Sequence, residues 1–523
     1  MNRLPLPGKK LSIGILFSIL LLALVAYRAL TRPADAAHSD RPADAAHIQA
    51  QMQAILSYLD SAIYEKAVTW DEHYVLVYQV AQGRPPTPLE FFTLRGLRQE
   101  VLMSRSGALS VALRGQAFFP TWSQLRDFVN RADQSSFRVN VQVQEIARQL
   151  AATPTAELRA AVEALTASTP DQTASQPINL PQPVANGLYN TYYGFLHAHS
   201  HLSLDATGDP ADAYAMARND AGMDFFSLSD HGEFLMIWPW ENKWQQLVDA
   251  AEASYDPGAF VSLWGFEWSN PVLGHLVIAN SSDYTNAVWM FSLPGVYNWI
   301  YARPEAIATF NHPGSYDLLS LEFHHFRRYN AGVAQVVGME LWNGGSSFDT
   351  YYYDGGYDSD YSYYDEANRK GWYIGALGAD DNHGATWGLD NDFRTGVLAT
   401  ELTREAILDA YTNRRFFSTE DKDLSLDFRA QGYPMGSRLT GVPADFDLTA
   451  CDGSGDTFQE ARLYRNGDLL QTQTVSGNCL AVTFSDPAPT GRDYYYVIVK
   501  QNDDNDGNGR NDEAISSPIW LTN

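Results

Sequence analysis

The stretch LHAHSH at residues 196–201 holds three of the chain's 12 histidines. Side chains of an extended segment alternate between faces, so His197 and His199 project from the same one. Residues of the same chemical kind close further apolar, strand-like runs: Asp230 and His231 after FFSLS, Glu267 after VSLWGF, His312 after IATFN, and Asp381 with His383 after YIGALG. In an α/β domain with parallel strands, such strand ends share the rim on which active sites sit. Imidazoles and carboxylates converging there, without a thiolate, form a donor set for divalent transition metals.

The elements that must position these residues are legible as patterns. From residue 188 to about 423, short apolar strands alternate with helical stretches, which predicts an α/β domain. Asp209 and Pro210 read as cap and first residue of a helix whose Ala213, Tyr214, Ala217 and Ala221 form a small apolar face, with Gly222 stopping it before the strand DFFSLSDH. From about 424 to 523, strands such as ARLYRNG, CLAVTF and YYYVIVKQ are separated by Gly, Asp and Pro turns, the pattern of an all-β sandwich module. The chain's two cysteines, Cys451 and Cys479, both fall in that module. In an exported chain they make one disulfide, worth about 3–4 kcal/mol; two buried thiols are the alternative.

At the other end, Arg3, Lys9 and Lys10 precede the uncharged apolar run LSIGILFSILLLALVAY at 11–27. As a helix it would span about 26 Å, the short end for a bilayer, and the basic flank favours export of everything after it. Arg28 and Arg32 separate it from the small residues Ala34-Asp35-Ala36, so residues 1–30 read as an uncleaved signal anchor rather than a cleaved signal peptide. The expected location is therefore membrane-anchored facing the periplasm or exterior, or secreted if the segment is cleaved. Tandem RPADAAH copies make 31–47 a linker, 48–168 has helical periodicity, and the Pro-, Gln- and Ser-rich 169–187 is a second linker. A net charge of −26 argues against nucleic acid as a partner.

Taken in order, HAHS with Asp205, SDHGE, GFEWSN, GHLVIAN, NHPG and GADDNHG resemble the PHP (polymerase and histidinol phosphatase) metallohydrolase domain, over less than half of the chain. GHLVIAN, RTGVLATELTREAILDAYTNRRFFST and the terminal AISSPIWL are similar to its exported CehA/McbA-like branch. The resemblance implies a distorted (β/α)7 barrel of PHP type, preceded here by the helical region and followed by the β-sandwich module. It also implies two to three divalent metals (Zn, Mn or Fe). His197, His199, Glu267 and Asp381 would hold the first, Glu267, His275 and His312 the second, and Asp205, His231 and His383 the third. His201 matches no ligand of the family and reads as a solvated loop residue or a substrate contact. Asp380 stands where the family commonly has a small hydroxyl residue, so it either tightens metal binding or faces water.

Metals in such a site lower the pKa of bound water from 15.7 towards about 7 and so generate hydroxide at neutral pH. The expected activity is hydrolysis of a small anionic ester, a phosphate mono- or diester. A carboxylic, carbamate or amide ester is the alternative, and a non-enzymatic anchored binding protein the third reading. Asp230 is a candidate proton shuttle, and Arg394 a candidate phosphate clamp or a plain surface ion-pair partner. The tyrosine-rich loop at 348–367 either stacks on substrate or packs on itself, and Glu340 reads as a solvated strand end. Last, Asn502, Asp504, Asp506, Asn508 and Glu513 have calcium-loop spacing around Gly507, predicting weak binding at about 0.1–1 mM or else an acidic hairpin turn.

Overall fold

The structure is a computed structural model that describes residues 180–522 except positions 181, 204, 236–241, 271–272, 288–289, 291, 316–320, 345–350, 441–444 and 505–509. The expected anchor at 1–30, the linker 31–47, the helical region 48–168 and most of the linker 169–187 lie outside the described residues. Among those described, no helix is long and apolar enough to cross a membrane.

Strands β1 (Asn190–Phe195), β2 (Phe225–Leu228), β3 (Val261–Asn270), β4 (Gly274–Ala279), β5 (Ile307–Asn311), β6 (Val336–Asn343) and β7 (Gly375–Ala379) lie side by side in chain order. β1, β2 and β3 run parallel, as do β5, β6 and β7, whereas β4 is antiparallel to both neighbours. The reversal follows from the connection: only 271–273 separate β3 from β4, with Gly274 at φ 87°. A parallel return needs a crossover of a dozen residues or more. Where the resemblance implies a distorted (β/α)7 barrel, the structure has a mixed, curled sheet with few helices. Its two ends approach each other beyond β1 and β7, where His199 N–H donates to the Asn382 carbonyl and Asp381 N–H to the His197 carbonyl, both at 3.0 Å. Inside the curl, Phe225, Val261, Leu263, Val277, Val337 and Leu377 pack together.

Helices α1 (Pro210–Asn219), α2 (Lys243–Ser254), α3 (Leu293–Tyr301) and α4 (Tyr363–Arg369) fall between these strands. α1 forms as its sequence dictates. Asp209 caps the Ala211 N–H at 2.9 Å, Pro210 opens the helix, and Ala213, Tyr214 and Ala217 are buried. The Tyr214 hydroxyl then donates to the Leu263 carbonyl at 2.7 Å, fixing the helix to β3.

After β7 come β8 (Arg394–Ala399), α5 (Arg404–Thr412) and β9 (Phe416–Thr419), then β10 (Leu424–Ala430), β11 (Tyr433–Pro434), β12 (Arg438–Thr440), β13 (Asp445–Asp452), β14 (Phe458–Arg465), β15 (Asp468–Thr474), β16 (Cys479–Ser485), β17 (Tyr494–Gln501), β18 (Glu513–Ser516) and β19 (Ile519–Thr522). β8 pairs antiparallel with β1, β9 with β8, and β18 with β9. The last strands therefore extend the same sheet. A separate four-stranded sheet, β11-β10-β13-β16, faces it. β10 buries Leu424, Leu426, Phe428 and Ala430 at alternate positions against Val497 and Val499 of β17, which is the two-layer packing expected of a sandwich. Cys451 and Cys479 sit opposite each other on β13 and β16 and are bonded.

Candidate metal centre

The residues singled out by type and order lie on one rim of the curled sheet. β1 runs on into His197 and His199, β2 into Asp230 and His231, β5 into His312, and β7 into Asp381 and His383. Glu267 stands in the second half of β3, and the reversal of β4 lets it present His275 from its start, opposite Ser269.

Their distances are short enough for shared ligands. His197 Nε2 and His199 Nε2 are 3.2 Å apart, and Asp381 Oδ1 lies 3.1 Å from the first and 2.9 Å from the second. Glu267 Oε1 is 3.3 Å from His197 Nε2, 3.1 Å from His275 Nδ1 and 3.3 Å from His312 Nε2, while its Oε2 is 2.8 Å from His231 Nδ1. The His199 ring lies 4.3 Å from that of His231 and 4.2 Å from that of His383. Asp205 Oδ2 is 3.4 Å from His231 Nε2. His197 with Glu267 and His312, His197 with His199 and Asp381, and His199 with His231 and His383 each gather ligand atoms within 4.8 Å.

Hydrogen bonds set which nitrogens keep a lone pair. His197 Nδ1 lies 2.7 Å from Glu340 Oε1, and His383 Nδ1 lies 2.8 Å from the Asp381 carbonyl oxygen. Both partners only accept, so these Nδ1 atoms carry the proton and Nε2 is left to ligate, the arrangement that orients metal-binding imidazoles. Burial alone would lower the His197 imidazole, but Asp381, Glu340 and Glu267 hold it well above its ordinary value. Burial lowers His199 to about 3, and His383 and His231 push the same way. Asp381 and Glu267, despite burial, are held well below the usual carboxylate range by the surrounding imidazoles. Ionised carboxylates facing the Nε2 atoms of His197, His199 and His312 and the Nδ1 atoms of His231 and His275 fit divalent transition metals, which on binding would replace the proton the carboxylates hold on His197.

Neighbouring groups hold this arrangement. Asn311 donates Nδ2 to Glu267 Oε1 at 2.9 Å, and Trp387 Nε1 donates to the His199 carbonyl at 2.7 Å. Lys243 is buried, its amine lowered to about 8 by burial, and it donates to the Leu202 and Phe234 carbonyls at 2.8 and 3.1 Å. Asp381 and His312 have φ of 49° and 28°, a conformation uncommon outside glycine and a form of strain found at functional sites. The cluster opens to solvent on one side. The side chains of Asp205 and His383 are 43% and 31% exposed, against 2% for His197.

Several expectations are corrected by their surroundings. Glu340 is not a solvated strand end. It is buried, and besides His197 it accepts the His312 N–H at 2.8 Å and Asn343 Nδ2 at 2.9 Å. Asp230 is fully buried, with Oδ1 accepting the N–H groups of Ser200 and Ser203 at 2.8 and 2.9 Å and Oδ2 the Ser200 hydroxyl at 2.8 Å. That holds the loop carrying the HxH pair, a positioning role for the carboxylate expected to shuttle a proton. Arg394 is buried too, its guanidinium donating to the carbonyls of Phe393, Gly388 and Asn391 at 2.7, 2.9 and 3.3 Å, so it is not placed to clamp a phosphate. Asp380 neither faces water nor joins the ligands. It accepts the Gly388 N–H at 2.8 Å and Asn391 Nδ2 at 2.9 Å, and burial raises it to about 6. His201 is exposed, with Nδ1 2.9 Å from the Gly208 carbonyl oxygen.

The tyrosine-rich loop also resolves towards packing. Tyr352 is 2.8 Å from the Tyr496 hydroxyl, Tyr364 donates to the Ser516 carbonyl at 3.0 Å, and Tyr357 to Glu322 at 2.7 Å. Among the described residues of the calcium spacing at 502–513, Glu513 is engaged elsewhere. Glu513 is a buried member of β18 opposite Lys500, flanked by Arg462, Lys500 and Arg510 and bonded by Tyr353. Asn502 donates Nδ2 to the Thr457 hydroxyl at 2.9 Å, and Asp504 is exposed. Asp506, Gly507 and Asn508 lie outside the described residues.

Comparison with known proteins adds little about chemistry. Residues 215–287 match a family described as protein of unknown function (DUF3604). An uncharacterised protein of Chlamydia pneumoniae is 26% identical over 144 residues, which cover 24% of this chain and 22% of that protein. One from Chlamydia muridarum is 25% identical over a stretch of the same size. The chain therefore spans about a fifth of the length of these relatives. Among solved structures, a two-domain Bacteroides vulgatus protein containing a predicted PHP-like metal-dependent phosphoesterase aligns with a TM-score of 0.35 and 16% identity, covering 62% of this chain and 95% of that one.

Proposed function

We propose that this chain is an exported metal-dependent hydrolase of the PHP type that cleaves small phosphate mono- or diesters. The observation that carries the reading is the convergence of His197, His199, Asp205, His231, Glu267, His275, His312, Asp381 and His383 on one rim. His197, His199, Glu267 and Asp381 would hold a first metal, Glu267, His275 and His312 a second, and Asp205, His231 and His383 a third. Bound there, Zn, Mn or Fe supplies a Lewis acid and acidifies water to near neutrality. The protein's own residues supply the rest. Glu340 keeps the proton of His197 on Nδ1, Asp230 fixes the loop of His199 through Ser200 and Ser203, and Trp387 anchors the His199 carbonyl. Substrate would approach over Asp205 and His383, where the cluster is exposed.

The curled run β1–β7 with its ligands on one rim is consistent with a distorted (β/α)7 barrel in which β4 is reversed. Export is supported by the basic residues and apolar run at 1–27 and by the Cys451–Cys479 bond, since disulfides persist in oxidising compartments. The membrane would then be met through the N-terminal segment, and a charge of −26 disfavours nucleic acid.

A second reading, hydrolysis of a carboxylic, carbamate or amide ester, is favoured by one observation. The arginine expected to clamp an anion is turned into backbone carbonyls. The deciding experiment strips metal from the full chain, restores Mn, Zn or Fe, and assays nitrophenyl phosphate, bis-nitrophenyl phosphate and nitrophenyl acetate. Metal-restored turnover of a phosphate ester is expected; turnover of acetate alone moves the assignment to the second reading, and none on any substrate overturns both.

A further inference from the structure

Phe323, His324, His325 and Phe326 have φ of 47°, 48°, 50° and 54°, four consecutive residues in the left-handed region without a glycine among them. A side chain's Cβ makes that region unfavourable, and single residues, not runs, are what usually visit it. Such a run persists only where its surroundings over-determine it, and strain of this kind gathers at functional sites.

The contacts that hold this turn also hold two ligand-bearing segments. On one side, the Phe323 N–H donates to the Leu273 carbonyl at 2.9 Å, and a Cβ on Gly274 would lie 2.5 Å from the Phe323 ring. Gly274 opens β4 immediately before His275, so the turn fixes the point from which that imidazole is presented. On the other side, Glu322 is fully buried, and its Oε2 accepts the Gly314 N–H at 2.7 Å and the Tyr357 hydroxyl at 2.7 Å. Gly314 closes the turn NHPG two residues after His312, itself at φ 28°. The far end is tied down as well, with Trp372 Nε1 donating to the Phe326 carbonyl at 2.8 Å and Lys370 Nζ to the His325 carbonyl at 2.6 Å. Between the two braced segments, His275 Nδ1 and His312 Nε2 stand 3.1 and 3.3 Å from the same Glu267 oxygen.

We propose that Glu322 is a positioning residue for the second metal: with the left-handed turn that follows it, it sets the spacing of His275 and His312. The inference rests on the reading of the rim as a metal centre. A carboxylate that works through one accepting oxygen can be replaced by a carboxamide, whose oxygen accepts both the Gly314 N–H and the Tyr357 hydroxyl. A carboxylate that binds metal cannot.

The test strips metal from the full chain, titrates it with manganese chloride, and follows the number and affinity of bound ions together with the electron paramagnetic resonance spectrum, in which two ions sharing Glu267 would be coupled. Glu322→Leu is expected to lose the coupled signal and to bind one ion about tenfold or more weakly, the remaining ions staying within about threefold of wild type. Glu322→Gln is expected to keep the coupled signal and all affinities within about threefold. A coupled signal and affinities unchanged in Glu322→Leu, even with a lowered melting temperature, would leave Glu322 a purely structural residue and overturn the proposal; an equal loss in Glu322→Gln would make it a ligand and overturn it too. A wild type that binds no manganese overturns the metal-centre reading itself, and this inference with it. Should Glu322→Leu not fold, Tyr357→Phe, which removes one of the two bonds on Oε2, is expected to weaken the same ion by about threefold or more, and an unchanged affinity there overturns the proposal equally.

Discussion

Replacing Glu340 with glutamine should weaken metal binding without touching a ligand. The carboxylate takes the His197 Nδ1 proton at 2.7 Å on one oxygen, and the His312 N–H and Asn343 Nδ2 at 2.8 and 2.9 Å on the other. A carboxamide has one accepting oxygen. Turned to His197, it points its NH2 at two donors; turned to them, it points the NH2 at His197 and drives the imidazole proton onto Nε2, where a metal needs the lone pair. Either way at least one hydrogen bond to a buried charge is lost, about 1.5–3 kcal/mol. At about 1.4 kcal/mol per tenfold this is a 10–100-fold loss of affinity, the size seen when partners of metal-bound imidazoles are removed. Competition of Glu340→Gln and wild type against a chromophoric chelator measures it, with turnover at saturating metal as the second readout. Affinity should fall by that factor while turnover at saturation recovers to within about tenfold. An unchanged metal affinity would refute the positioning role of Glu340.

Asp230→Asn should lower stability by about 1–2 kcal/mol through the Ser200 and Ser203 bonds, and its pH–rate profile should keep its shape; loss of one limb with metal content intact would return Asp230 to proton transfer. Arg394→Lys should lower the melting temperature, because one amine cannot satisfy the Gly388, Asn391 and Phe393 carbonyls, yet leave KM for a phosphate ester within about twofold; a tenfold rise in KM with an unchanged melt would restore the clamp. Asp365, buried beside Tyr494 and Tyr496, is raised from 3.8 to about 6 by burial. A raised carboxylate favours the folded state below the unfolded pKa and loses that contribution as pH rises through about 6. Asp365→Asn should therefore gain about 2–3 kcal/mol relative to wild type between pH 4 and pH 7 in chemical denaturation, and parallel curves would show that Asp365 is not held protonated.

The candidate site was legible where its signal is local. An HxH pair on a strand, a DH and a DxH after apolar runs, and their order carry the ligand types, and the period of two aims them. Helix α1 was legible for the same reason, its cap and its apolar face lying within ten residues. What the sequence hid is settled by distant partners. Glu340 looks like any carboxylate near a strand end until His197 and the His312 N–H are placed against it. Arg394 carries no mark that backbone carbonyls will consume its donors. The reversal of β4 was readable in the short gap after Asn270, but an expectation of repeated β/α units masked it. The continuous sheet depends on β9 meeting β18, a non-local pairing without a sequence pattern, and the same strand takes Glu513 from the calcium spacing.

The measurement that bears most directly on the account is the metal content of the full chain, purified without chelator and assayed by plasma mass spectrometry alongside His197→Ala/His199→Ala. Two to three transition-metal ions per wild-type chain, with at least one lost in the variant while its fold persists by circular dichroism, is the predicted result. Fewer than one ion per wild-type chain, or equal content in the two proteins, would contradict the claim that this rim is a metal centre.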